Sequence, residues 1–209
     1  DTDRQGDVTG KPFLVAGVQT GPKGGYFAID SLTDFLHSKE PAVAHCQELR
    51  TPRHKIARLK KTLLRLNDGY AMYTSVAEGY DTVAGQHLGV ATLIRVDLTE
   101  SVRKIELPES VAGRVLALLV EGLGSSRKTL HVNVYQLVNS KDNYEGMRAV
   151  LDNVYALARW ANAHGHNMIL SGDLNATLKD NLRINYSDPL ALLPGCLLYT
   201  SDAADEEDS

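Results

Sequence analysis

Polar side chains stand at the ends of otherwise apolar stretches: Gln19 after 13–18, Gln47 and Glu48 after 42–46, Asn133 and Tyr135 within 129–137, Asp173 and Asn175 after 168–170. Read as strands of a sheet, those stretches deliver the polar groups rigidly to one rim. Carboxylates in such a place suit a hard divalent ion, because Mg²⁺ takes oxygen ligands, keeps several waters and is held by one or two protein carboxylates plus a substrate phosphate. Glu48 is the candidate ligand. Asp173 can accept a proton from an attacking water, and Asn175 can donate an amide hydrogen bond to that water or to a phosphate oxygen. Phosphodiester hydrolysis is the chemistry such a set performs. Each residue also has a plain structural reading: Gly-Asp-Leu-Asn is an ordinary strand-exit turn, Glu48 can be a solvated strand end, and Tyr135 can be a cross-strand packing residue. Their joint occurrence carries the weight.

Other chemistries lack residues. Gly21-Pro22-Lys23-Gly24-Gly25 has no Gly-Lys-Ser/Thr ending, and Gly122-Leu123-Gly124 lacks the third glycine of a dinucleotide loop. His164-Gly165-His166 has no further Cys or His at ligand spacing and reads as a solvated turn. Ile169 stands where a nucleophile elbow at Ser171 requires glycine.

The elements that must position these residues follow from hydrophobic period. Strands are predicted at 13–18, 42–46, 70–76, 88–96, 115–120, 129–137 and 168–170. Ile29, Leu32, Phe35 and Leu36 recur at helical spacing, as do Ile56, Leu59, Leu63 and Leu66, and a long amphipathic helix runs from Met147 to Ala161. Within 129–137, Leu130, Val132 and Val134 alternate with His131, Asn133 and Tyr135, predicting one core face and one polar face. At 209 residues, 43% hydrophobic and 23% charged, with no repeat or low-complexity linker, the chain reads as one α/β domain of mixed sheets beneath outer helices. No apolar run approaches the roughly 18 residues of a membrane span, so no membrane partner is expected. Two cysteines, Cys46 and Cys196, are too few for a disulfide framework and favour a reducing, intracellular compartment.

The net charge of -4 conceals an asymmetry. Five of the 26 acids lie in the last eight residues, and without them 22 cations face 21 acids. Arg50, Arg53, Lys55, Arg58, Lys60, Lys61 and Arg65 place seven cations within sixteen positions, a stretch that can meet phosphates or form a solvated helix face. Lys60 and Lys61 are its candidate substrate contacts.

These motifs resemble the endonuclease/exonuclease/phosphatase superfamily, which includes deoxyribonuclease I, abasic-site endonucleases, LINE-type retrotransposon endonucleases, sphingomyelinases and inositol-polyphosphate phosphatases. PAVAHCQELR at 41–50 is similar to the motif in which Gln-Glu ends the second strand and the Glu, here Glu48, binds metal. Asn133-Val134-Tyr135 is similar to the Asn-x-Tyr motif whose Tyr contacts the scissile phosphate. LSGDLNA at 170–176 is similar to the Gly-Asp-x-Asn motif that supplies the base, Asp173, and the amide, Asn175; its SGDLNA form points to a retroelement-type endonuclease. Gly113-Arg114 also fits, making Arg114 and Asn133 candidate substrate contacts.

The resemblance implies a four-layer α/β sandwich of two mixed sheets with outer helices, Mg²⁺ (or Mn²⁺) as cofactor, and nucleic acid, DNA above all, as substrate. The alternatives are a phosphatase of the same fold acting on lipid or inositol phosphates, and a non-catalytic binding domain. Two departures stand out. Gln19 occupies the place of the family's first-strand Asn and inherits its role. No His follows Asn175, where the family has a late Ser-Asp-His. CLLYTSDAADE at 196–206 resembles the conceptual translation of a sequencing-library adapter. The expectation is therefore a domain over 1–195, incomplete at its C-terminus and inactive as it stands, followed by a non-native tail over 196–209 that packs against nothing.

Overall fold

The structure is a computed structural model and describes residues 15–19, 29–49, 51, 53–77, 89–123, 125–137, 141–174 and 196–200. Two mixed sheets face one another. The first contains β1 (Val15–Gln19), β2 (Val43–Gln47), β3 (Tyr70–Val76) and β4 (Gly89–Arg95) in the order β1-β2-β4-β3, parallel only between β1 and β2. The second contains β5 (Thr99–Lys104), β6 (Val115–Gly122), β7 (Ser125–Tyr135), β8 (Asn167–Asp173) and β9 (Cys196–Thr200) in sequential order, antiparallel from β5 to β7 and parallel from β7 to β9.

Side-chain alternation explains the layers. Along β2, Ala44 and Cys46 pack beneath helices α1 (Ile29–Lys39) and α2 (Ile56–Leu66), with Leu32, Leu36 and Leu63. Val43, one position before Ala44, faces the second sheet and joins Val90, Ile94, Leu116, Leu118 and Val120 in the middle of the sandwich. On the far side, Ala117 and Leu119 of β6 and Leu130, Val132 and Val134 of β7 receive Val150, Val154, Leu157, Ala158 and Ala161 of α3 (Tyr144–Ala163). The order is helices, sheet, sheet, helix: the fold is the four-layer α/β sandwich. None of the described helices is long and apolar enough to cross a membrane.

Four expectations are corrected. β5 was not foreseen, because TESVRK is an edge strand with Val102 as its one apolar residue packed inward. The polar face of β7 is not solvated: His131 and Asn133 are 1% and 0% exposed, enclosed by the first sheet. Leu66, placed on the buried side of the basic helix by period, is exposed at the helix end. Cys196–Thr200 does not stand apart; it pairs with β8 from Met168 to Gly172, where an apolar pentapeptide satisfies the backbone groups of a strand edge.

Candidate active site

β2 runs parallel to β1, β8 runs parallel to β7, and the C-terminal ends of β2, β7 and β8 meet at one rim. Glu48 is the first residue beyond β2. Its φ of 54° lies in the left-handed region, which costs a residue with a Cβ about 1 kcal/mol. The turn is held by the Leu49 N–H donating to the Gly89 carbonyl at 2.8 Å. It sends the Glu48 carboxylate across to the other sheet, where the Tyr135 hydroxyl donates to Glu48 Oε1 at 3.1 Å.

Tyr135 ends β7 in register with Asp173, the last residue of β8. The Gln136 N–H donates to the Asp173 carbonyl at 2.8 Å and the Tyr135 N–H to the Arg114 carbonyl at 2.8 Å, which fixes the three strand ends to one another. The Arg114 guanidinium lies 4.8 Å from the centre of the Tyr135 ring, a cation–π arrangement. Burial, and then the charge of Glu48, push the Tyr135 phenol up to about 12, with Arg114 opposing and Asp173 adding to the rise. At neutral pH Tyr135 is therefore a hydroxyl donor. One glycine is indispensable here: Gly172 has φ 138°, and a Cβ on it would run into the Val134 carbonyl. Its strand hugs β7 and thereby sets where Asp173 emerges.

Asn133, expected to touch substrate, does not reach the rim. Its amide donates to the carbonyls of Ala91 (2.8 Å) and Cys46 (3.2 Å), and its Oδ1 accepts from Gln47 Nε2 at 2.7 Å. Two positions before Tyr135, it faces the first sheet and pins the sheets together directly beneath Glu48; Gln47 is the partner that sequence reasoning left without a role. Behind them His45 Nδ1 meets Thr92 Oγ1 at 3.0 Å and stacks on His131 with ring centres 5.7 Å apart.

The remaining candidates lie around this centre. Gln19 ends β1 in register with Gln47. Lys60 and Lys61 are on α2, outside the Glu48–Tyr135–Asp173 group; Lys60 faces a neighbouring cavity with Lys104. Asn175 lies outside the described residues.

The groups at the rim are carboxylate and phenol oxygens, the donor type that a hydrated hard cation such as Mg²⁺ accepts, with Glu48 as the candidate ligand. Among the described residues no group of three or more His, Cys, Asp or Glu surrounds a common point.

No family model matches the sequence, and no curated protein does. Solved structures do match. An AP endonuclease from Leishmania major aligns at TM-score 0.57 and 20% identity over 86% of this chain and 60% of its own. Its fold is that of the endonuclease/exonuclease/phosphatase superfamily, deoxyribonuclease I-like. This chain has that fold. A Bacteroides thetaiotaomicron mannosyl-6-phosphatase aligns at TM-score 0.54 and 12% identity over 79% of this chain and 65% of its own, and a humanized D. rerio TDP2 at 0.51 and 17% over 75% and 62%. The chain thus spans less than two thirds of the length of each of these deoxyribonuclease I-like structures.

Proposed function

We propose that the rim is the active site of a Mg²⁺-dependent phosphodiesterase acting on nucleic acid, an endonuclease of the retroelement type. The observation that carries this reading is the Tyr135–Glu48 hydrogen bond: one sheet supplies an oxygen ligand, the other a phenol donor 3.1 Å from it, with the candidate base Asp173 in register with Tyr135 on the neighbouring strand.

Glu48 would hold the cation, which when bound would neutralise phosphate charge and favour a nucleophilic water. Tyr135, neutral throughout the physiological range, orients Glu48 and offers its hydroxyl to the rim. Arg114 keeps the phenol ring in place and adds positive charge where an anionic phosphate arrives. Asp173 takes the proton of the attacking water, and Asn175 is assigned the amide donor beside it. Gln19, ending β1 next to Gln47, is assigned to the water shell of the cation.

Nucleic acid is favoured over a lipid or inositol phosphate by the cation-rich α2 region, and an AP endonuclease is among the solved structures with this fold. The phosphatase reading keeps one supporting observation, the mannosyl-6-phosphatase of the same fold. The 209 residues hold no Ser-Asp-His after Asn175. Cleavage is therefore assayed in the chain and in a version carrying that segment. The reading expects Mg²⁺-dependent cleavage of a labelled DNA duplex by the version carrying that segment, abolished by EDTA and by Glu48→Gln. Preferential release of phosphate from inositol phosphates would replace the nuclease by the phosphatase.

A further inference from the structure

Beside the rim lies a cavity of about 490 Å³, within the ~300–1,000 Å³ range of small-molecule sites. Its location follows from the strands that bound it. Val76 ends β3 opposite Gly89, whose carbonyl receives the Leu49 N–H next to Glu48. Val115 opens β6 next to Arg114, whose guanidinium lies over Tyr135. Both valines line the cavity, which places it at the same rim of the sheets as the Glu48–Tyr135 site. The Gly113 N–H, donating to Ser75 Oγ at 3.0 Å, ties the two sheets at this junction.

Three separate elements contribute cations to the lining of the cavity: Arg53 from the turn before α2, Lys60 from α2 and Lys104 from the end of β5. Lys104 Nζ donates to the Thr74 carbonyl at 3.0 Å, which fixes the ammonium and leaves its other hydrogens for a ligand. Lys60 makes no ion pair with any described residue. Burial, and then the nearby Lys104 charge, lower its pKa. Two like charges held together over the apolar side chains of Ile56 and Ile105 repel each other until an anion lies between them. Glu106 and Glu109 also border the cavity, and like the three cations they are exposed, so the lining carries three positive charges against two negative ones.

We infer that this cavity is a nucleotide subsite, in which Lys60, Lys104 and Arg53 hold a backbone phosphate next to the scissile one and Ile56 and Ile105 support the attached sugar or base. The inference rests on the nucleic-acid reading above and assigns that reading a path for the strand, from Glu48 and Tyr135 over Val76 to α2. It also separates Lys60 from Lys61, which does not line the cavity.

Binding in EDTA tests the subsite without requiring turnover. The probe is a fluorescein-labelled single-stranded oligonucleotide of about 12 residues, followed by anisotropy between about 50 and 200 mM salt. Lys60→Gln/Lys104→Gln should raise Kd by ~10-fold and flatten the salt slope by ~1.4, the loss of two contacts with a single strand. Arg148→Gln/Arg159→Gln, which removes the same charge from the exposed side of α3, should leave the slope nearly unchanged, and Lys60→Arg/Lys104→Arg should bind as the parent does. Failure of the parent to bind any oligonucleotide overturns the nucleic-acid reading and the subsite with it. Normal binding by a folded Lys60→Gln/Lys104→Gln variant, or an equal loss in the α3 variant, overturns the subsite alone.

Discussion

The Tyr135 hydroxyl donates to Glu48 Oε1 across the interface of the two sheets, at 3.1 Å. Everything else at the rim supports this contact: Arg114 lies on the Tyr135 ring, the left-handed turn at Glu48 aims its carboxylate, and Asn133 bonds Gln47 one residue earlier. Removing a hydrogen-bond partner of a metal-binding carboxylate typically weakens metal affinity or activity 10–100-fold. Tyr135→Phe should therefore weaken Mn²⁺ binding, followed by electron paramagnetic resonance, by ~10-fold or more, with little change in thermal stability. Unchanged affinity would leave the phenol without a part in holding Glu48.

Asn133 distinguishes a substrate contact from a clamp. Asn133→Ala removes the buried hydrogen bonds that this side chain makes to Gln47 Nε2 and to the carbonyls of Cys46 and Ala91, each contributing about 0.5–1.5 kcal/mol. The expected outcome is a loss of about 3 kcal/mol or more in urea unfolding. A variant as stable as the parent but with a raised KM would return Asn133 to the substrate.

The two-sheet frame was legible because Val43, Val90 and Leu116 sit in short apolar runs that buried strands explain, and Val132 in an alternating one. The rim was legible because carboxylates and amides end those runs. What escaped shows where pattern stops informing. β5 has a solvated edge and almost no apolar period. Asn133 reads as a polar-face residue in sequence, yet that face meets another sheet, and one strand's alternation cannot report what lies opposite. The Lys104 partner of Lys60 is 44 positions away in sequence, so their meeting in one cavity depends on tertiary contacts that no local spacing records.

Gly172 and Gly165 offer a matched pair. Both have positive φ, 138° and 66°, but a Cβ on Gly165 meets no atom within 4 Å. Gly165→Ala should cost only the backbone penalty of about 1–2 kcal/mol. Gly172→Ala adds a collision with Val134, should cost clearly more in denaturant unfolding, and should displace Asp173. Equal costs would show that β8 need not approach β7 so closely.

The sandwich should be acid-sensitive. Burial lowers His131 from 6.5 to about 4, and burial with the charge of His131 lowers His45 well below 6.5. Below pH 6.5 the unfolded chain binds protons that the folded chain refuses, so stability falls as pH drops from 6.5 toward 4, by about 3 kcal/mol for His131 alone. Urea midpoints at pH 7.5 and 4.5 measure the fall, and His131→Gln should flatten it. A variant with the parent's pH slope would assign the acid sensitivity to other groups.

The most direct measurement of the central claim is the single-turnover rate of DNA cleavage by the chain carrying a Ser-Asp-His segment, with and without Asp173→Asn. Replacing the proton acceptor should slow Mg²⁺-dependent cleavage by ~10²–10⁴-fold while urea stability and oligonucleotide binding stay near those of the parent. Cleavage that persists at the parent's rate in Asp173→Asn, or that proceeds equally in EDTA, would contradict the account and leave the Glu48–Tyr135–Asp173 rim a structural junction.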